Sequence, residues 1–189
     1  MTRIIAGRAG GIRLDVPPAG TRPTSERVRE SLFAALKSTG LLEGTAVLDL
    51  YAGSGALGLE ALSRGAATAD LVEKGQKAAQ VARANTDRVA RAGGSAAVHH
   101  TGVQQFLRQP GRAYDLVFLD PPYDVPDAQL AEDLRALAPR LAADALVIVE
   151  RATRSGGPDW AAAGLAAYRA KAYGDTTLWW GEPQADQSR

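Results

Sequence analysis

Two motifs and one isolated acid have residue types and spacing that can do chemistry. The first motif, Asp120-Pro121-Pro122-Tyr123, closes the apolar run Leu116-Val117-Phe118-Leu119. A continuous run of that kind reads as a strand buried on both faces of a parallel sheet. Neither proline can donate a ladder hydrogen bond, so the strand must end there. Asp120 and the carbonyl of Pro121 can together accept both hydrogens of an amino group, and Tyr123 offers a flat face on which a base can stack. The plainer reading is a strand-ending turn with a surface aromatic.

The second motif is Asp49-Leu50-Tyr51-Ala52-Gly53-Ser54-Gly55-Ala56-Leu57-Gly58. Small residues let a backbone approach a ligand closely, and the start of the helix beyond offers unpaired N–H groups to an anion. Gly53, Gly55 and Gly58 satisfy the dinucleotide spacing G-x-G-x-x-G, a weak pattern by itself. Glu73 is the isolated acid. It ends the next apolar run, 20 residues past Gly53, where a carboxylate can bind ribose hydroxyls. A nicotinamide dinucleotide and S-adenosylmethionine both fit these features. Asp49 favours the second, because an acid entering the loop repels a pyrophosphate and suits the ammonium of a methionine moiety. Without a ligand, the loop is simply a tight strand-to-helix turn.

Positioning these residues requires alternating strands and helices. From Thr45 the pattern predicts strands over Thr45–Leu50, Thr68–Glu73, Ala96–Thr101, Tyr114–Leu119 and Ala145–Glu150. It predicts helices from the glycine loop to about Arg64, over Gln76–Arg91, around Gln104–Arg108 and over Asp127–Leu141. Leu165–Ala172 and Thr176–Trp180 read as a closing hairpin. This alternation implies an α/β fold with a parallel, doubly wound sheet and one antiparallel edge. Ahead of it, residues 3–14 read as a short hairpin or arm. A helix capped by Thr24 or Ser25 then carries Val28, Leu32 and Leu36 on one face with Phe33 beside them. The expected division is a basic N-terminal extension at 1–40, a main domain at 41–182 and a polar tail at 183–189.

Composition narrows the class. With 46% apolar and 23% charged residues the chain is an ordinary globular domain. No apolar stretch has the length of a membrane span or a signal-peptide core, and the absence of cysteine excludes disulfides and thiolate metal sites. The expectation is a cytoplasmic protein that uses no metal. His99 and His100 are adjacent, so in a strand they point to opposite faces and do not form a chelating pair. Net charge is +1 but uneven: residues 1–37 carry +4 and the remainder −3. Arg3, Arg8, Arg13, Arg22, Arg27 and Arg29 supply most of that block, which suggests a local polyanion contact such as RNA. A solvated arm is the alternative, and Arg29 can instead support the fold.

Asp49-x-x-Ala52-Gly53-Ser54-Gly55, Glu73 and Asp120-Pro121-Pro122-Tyr123 resemble motifs I, II and IV of class I S-adenosylmethionine-dependent amino-methyltransferases. Arg22-Pro23-Thr24 with Arg29-Glu30-x-x-Phe33 upstream of that loop more closely resembles the RsmD family, which methylates N2 of a guanine in 16S small-subunit ribosomal RNA. The resemblance runs from about Arg3 through the fifth strand. It implies a Rossmann-like, seven-stranded methyltransferase sheet, S-adenosylmethionine held by Asp49, Ala52, Gly53, Ser54, Gly55 and Glu73, and an RNA-contacting N-terminal extension. It also implies a substrate presented on the small ribosomal subunit or an assembly intermediate. One departure stands out: where the superfamily often has an Asp or Asn after the third strand to read adenine, this chain has Thr101-Gly102-Val103, leaving the Val103 backbone N–H for that contact. Three competing readings remain open at this level. They are an adenine-N6 methyltransferase on DNA or RNA, a nicotinamide dehydrogenase, which leaves Asp120-Pro121-Pro122-Tyr123 without a purpose, and a non-catalytic RNA-binding module, which leaves the acids without one.

Overall fold

The computed structural model describes residues 1–18 and 24–184, so Arg22 and the tail residues 185–189 lie outside it. Among the described residues, β1 (Thr2–Arg3) and β2 (Arg13–Leu14) pair as a small antiparallel ribbon, followed by α1 (Glu26–Thr39). The main sheet is built from β3 (Ala46–Leu50), β4 (Thr68–Glu73), β5 (Ser95–His100), β6 (Tyr114–Leu119), β7 (Leu141–Ala152), β8 (Leu165–Tyr173) and β9 (Thr176–Pro183). Its helices are α2 (Ala56–Ser63), α3 (Gln76–Ala90), α4 (Val103–Leu107) and α5 (Asp127–Leu137). The sheet order is β5-β4-β3-β6-β7-β9-β8, parallel from β5 to β7, with β9 antiparallel to both neighbours. This is the doubly wound sheet with an antiparallel edge that the strand–helix alternation predicts.

Alternate residues of each central strand feed two separate cores, as the period of two requires. Val47, Leu71, Leu116, Phe118 and Ile148 face α1 and α2, where Leu32, Phe33, Leu36, Leu59 and Leu62 pack against them. Leu48, Leu50, Val117, Leu119, Val147 and Val149 face α4 and α5, meeting Phe106, Leu130, Leu134 and Leu137. The junction of α5 with β7 and the end of β9 differ most from expectation. α5 ends at Leu137 and continues only as a 3₁₀ turn over Ala138–Arg140, because Pro139 has no N–H with which to extend an α-helix. β7 then begins at Leu141, and β9 reaches Pro183, which pairs with Leu165 and takes that residue out of the expected tail.

The N-terminal segment shares the core of the main sheet. Ile4 and Leu14 are fully buried in the same cluster as Phe118. The buried Glu60 of α2 accepts the Ile5 N–H at 2.7 Å and the Ala6 N–H at 3.1 Å, and also binds Arg64 Nε at 2.7 Å. Ser63 adds two contacts, accepting from the Ala9 N–H at 2.9 Å and donating to the Ala6 carbonyl at 2.6 Å. A β-carbon at Gly7 would stand 2.0 Å from the Ser63 carbonyl oxygen, so only glycine lets the arm lie this close.

Arg29 is corrected by this packing. It is 1% exposed and donates through Nη2 to Thr2 Oγ1 at 2.9 Å and to the Arg3 carbonyl at 2.8 Å. Its place on α1 beside the buried stripe makes it a strut between helix and ribbon, and it offers no exposed charge to RNA. Arg3, Arg8, Arg13 and Arg27 are exposed.

Candidate active site

β3 and β6 are neighbours whose following helices lie on opposite faces of the sheet, so a crevice opens between their carboxyl ends. Open α/β sheets bind ligands at this switch in strand order. Leu50 pairs with Leu119, which sends the glycine loop and Asp120-Pro121-Pro122-Tyr123 out of the sheet side by side. A cavity of about 1460 Å³ lies there, lined by Asp49, Gly53, Glu73, Val103, Asp120 and Tyr123 among others. It exceeds the ~300–1000 Å³ that holds one small molecule and leaves room for two.

Asp49 is 1% exposed. Its Oδ2 accepts the Gly58 N–H at 2.9 Å, while Oδ1 has no partner among the described residues. Burial pushes its carboxyl up to about 7; the Gly58 hydrogen bond opposes that rise and the charge of Glu73 adds to it. A buried acid with a free oxygen at a cavity wall fits a cationic group. Gly58 permits the arrangement, because a β-carbon there would lie 2.4 Å from Leu71 Cδ2 and 3.3 Å from Asp49 Oδ2.

The loop's shape needs the left-handed region at Gly53 and Gly55, and also at Tyr51, whose φ is 63°. Strain at a non-glycine residue persists only where surroundings enforce it. Here Tyr51 Oη donates to Asp133 Oδ2 at 2.5 Å, and the fully buried Asp133 also accepts from Gln104 Nε2 at 2.6 Å and Gln129 Nε2 at 3.1 Å. Burial, reinforced by Asp133, raises the Tyr51 phenol well above its ordinary range, so it remains a donor.

Glu73 is clamped by backbone: Oε2 accepts the Gly53 N–H at 2.9 Å and Oε1 the Gly75 N–H at 2.6 Å. The Gly53 N–H is therefore committed to Glu73, and this part of the loop aims a carboxylate into the cavity instead of cradling an anion. Ala52 and Ser54 line the same wall. Val103 opens α4 across the cavity, where a first-turn N–H has no partner within its own helix.

On the other side, Pro121 is buried and Tyr123 is 53% exposed over the opening. Asp120 Oδ2 contacts Thr24 Oγ1 at 3.0 Å, and the same hydroxyl donates to Glu150 Oε2 at 2.6 Å. Burial and repulsion from Glu150 raise the Asp120 carboxyl well above its ordinary value; Thr24 opposes the rise and Asp49 adds to it. Burial likewise raises Glu150.

Sequence reasoning missed several of these residues. Thr24 was one of two candidate caps for α1; Ser25 is the cap, accepting the Val28 N–H, and Thr24 is freed to face Asp120. Glu150 marked only a strand end, yet Leu119 pairs with Val149, so an acid one residue further along each strand must meet its neighbour. Tyr51 stands in the glycine motif with no role assigned to it, and Gln104, Gln129 and Asp133 belong to no motif. The structure brings the predicted Asp49, Ala52, Gly53, Ser54, Glu73, Val103 and Asp120–Tyr123 to one cavity, with Gly55 behind it at the start of α2. The exposed arginines of the ribbon stand outside its lining. Among the described residues no group of three or more His, Asp or Glu is arranged to hold a metal ion, and no helix is long and apolar enough to cross a membrane.

The sheet order and the crevice between two acid-bearing loops define the fold of a class I methyltransferase. The magnesium protoporphyrin IX methyltransferase of Synechocystis PCC 6803, solved with bound SAM, shares that fold at a TM-score of 0.68 and 16% identity, covering 87% of each chain. The yhhF structure from Escherichia coli aligns at a TM-score of 0.83 with 35% identity, over 98% of this chain and 99% of that one. In sequence, ribosomal RNA small subunit methyltransferase D of Escherichia coli K12 is 39% identical over 179 residues, covering 88% of this chain and 87% of that protein. Its namesake in Haemophilus influenzae is 37% identical over 151 residues, or 78% and 77% of the two chains. The model of the family described as conserved hypothetical protein 95 matches residues 2–182. This chain belongs to that family, the RsmD family of methyltransferases.

Proposed function

We propose that this protein transfers a methyl group from S-adenosylmethionine to the exocyclic N2 of a guanine in 16S ribosomal RNA, presented on the small subunit or an assembly intermediate. The observation that carries the reading is the opposition of Asp49 and Glu73 to Asp120 and Tyr123 across one cavity large enough for cofactor and base. The relatives named for small-subunit ribosomal RNA methylation support the substrate class.

The residues present fit the cofactor. Asp49 has an unpaired buried oxygen for its ammonium, Glu73 is held ready for ribose hydroxyls, and the Val103 N–H, open at the first turn of α4, would serve adenine. Ala52, Gly53 and Ser54 leave the loop side of the cavity free of bulk. When bound, S-adenosylmethionine supplies an electrophilic methyl on a sulfonium that is already a good leaving group.

The rest is positioning and electrostatics. A guanine amino group is a poor nucleophile because its lone pair is delocalised into the ring. Asp120 and the Pro121 carbonyl accept its hydrogens, turn the lone pair toward the methyl and stabilise positive charge as it develops on nitrogen; such effects supply several kcal/mol. Tyr123 stacks on a base that has left its helix or occupies a loop. Arg3, Arg8, Arg13 and Arg27 bind phosphates of the RNA, and Arg22 falls within the same basic block of sequence.

The test is calorimetry with S-adenosylmethionine and, in parallel, NAD, together with transfer of a labelled methyl group to small ribosomal subunits. Binding of the methyl donor alone and labelling of the RNA are expected. Binding of NAD alone contradicts the assignment.

A further inference from the structure

One hydroxyl carries one hydrogen, yet Thr24 Oγ1 lies within hydrogen-bond distance of two carboxylates, at 3.0 Å from Asp120 Oδ2 and 2.6 Å from Glu150 Oε2. Thr24 can donate to only one of them. The second contact is a hydrogen bond only if the other carboxyl bears a proton and donates to Oγ1. Two ionised carboxylates around one hydroxyl would instead leave a charged, largely buried oxygen facing another without a shared hydrogen, and like charges this close do not ionise together.

We infer that Asp120 and Glu150 share a single proton across the Thr24 hydroxyl, and that Glu150 acts through this relay as a positioning residue for the methyl-accepting amino group. The inference rests on the methyltransferase reading above for its catalytic meaning, but not for the shared proton itself. The 2.6 Å contact fits a hydroxyl donating to an ionised carboxylate, and the resting direction is assigned accordingly: Thr24 donates to Glu150, and Asp120 holds the proton and donates to Oγ1. The upward shifts of both carboxyls, Asp120's from burial and the charge of Glu150 and Glu150's from burial, agree with one proton retained by the pair. Asp49, reaching toward Asp120 from β3, is the third carboxyl of the group and adds to the repulsion.

The relay closes without any external acid or base. As an amino group settles on Asp120, the Asp120 hydrogen passes to Oγ1 while the Thr24 hydrogen passes to Glu150. One O–H bond breaks and one forms at each step, the hydroxyl is restored, and the pair keeps a charge of −1. The negative charge has moved from Glu150 to Asp120, beside the nitrogen on which positive charge develops. After methyl transfer that nitrogen gives a hydrogen to Asp120. The pair then holds two protons, one of which leaves to water. Thr24 thereby gains a role in the reaction, as the bridge between the two acids.

The test combines infrared difference spectroscopy on the free full-length protein at neutral pH with steady-state kinetics on small subunits. With Asp49→Asn as the common background, so that Asp49 contributes no band, parent minus Glu150→Gln and parent minus Asp120→Asn should each show the loss of one protonated-carboxyl band, because the surviving carboxyl is left with Thr24 as its donor and no second carboxylate to repel it. In kinetics, Glu150→Gln keeps a neutral donor to Oγ1 and should lower kcat by less than about tenfold, whereas Glu150→Ala and Thr24→Val should lower it about a hundredfold, the scale of a slightly misplaced reacting group. All should bind S-adenosylmethionine within a few-fold of wild type, which also reports folding. Difference spectra without that band, or Glu150→Gln as impaired as Glu150→Ala, would overturn the inference. A wild type that transfers no methyl group would instead sink the functional reading, and the spectra would still decide the shared proton.

Discussion

Leu50 and Leu119 face each other in parallel register, and each is followed by one half of the site: the glycine loop after Leu50, Asp120 after Leu119. The two halves are therefore set by a rigid pair of central strands, and cofactor and substrate functions should separate on mutation. Asp120→Ala should lower kcat by ~10²–10³-fold, the scale of one lost electrostatic contact at a reacting centre, while S-adenosylmethionine affinity stays within a few-fold. Asp120→Asn should keep part of the activity, since an amide oxygen still accepts one hydrogen. Glu73→Ala should weaken cofactor affinity at least ~10-fold, because hydrogen bonds to a charged group are worth ~1.5–3 kcal/mol. Equal losses of affinity in Asp120→Ala and Glu73→Ala would refute the division.

Asp49 gives a pH dependence with a definite sign. Its carboxyl is pushed up to about 7 in the free protein, and only the ionised form attracts an ammonium. Binding must release a proton below that value, so affinity should strengthen roughly tenfold from pH 6 to pH 7.5. The same shift affects stability. The folded form holds this proton more tightly than the unfolded chain, so Asp49's contribution is fully present below about pH 4 and is lost as pH rises through 7. Asp49→Asn should flatten both profiles, as followed by calorimetry and by urea denaturation at several pH values; unchanged profiles would count against a titrating Asp49.

The exposed arginines of the ribbon and of α1 are best tested singly, since deleting the arm would also remove Ile4 and Leu14 from the core. Arg3→Ala, Arg8→Ala, Arg13→Ala and Arg27→Ala should each weaken RNA binding and reduce the salt slope by up to about one. S-adenosylmethionine affinity should not change. A slope unaffected in all four variants would move the RNA contact elsewhere.

Glu60→Ala should cost about 3 kcal/mol by denaturation, because it leaves Arg64 and the Ile5 and Ala6 N–H groups without their buried acceptor. Its effect on the cofactor site should be small, which calorimetry would check.

Much of this site is legible in local sequence and some of it is not. Strands β4 and β6 have the boundaries their apolar runs predict, because a run buried on both faces ends sharply at a glutamate or a proline. Glu73 closes β4 and Asp120 follows directly on β6, while Asp49 is the penultimate residue of β3. Thr24 and Glu150 escape notice because nothing near them in sequence marks them: Thr24 lies 96 residues from Asp120 and 126 from Glu150, and strand register brings the two acids together while the start of α1 adds Thr24. Arg29 misleads in the opposite way. Its charge groups it with the exposed arginines, whereas its position beside Val28, Leu32 and Phe33 on α1 turns it inward.

The central claim, an amino group of guanine on Asp120, is tested most directly by identifying the modified nucleoside. Small subunits lacking the modification are incubated with the protein and labelled S-adenosylmethionine, and their 16S ribosomal RNA is digested to nucleosides and analysed by mass spectrometry. Label in N2-methylguanosine alone is the predicted result; label in N6-methyladenosine, or label retained in full by Asp120→Ala, would contradict it.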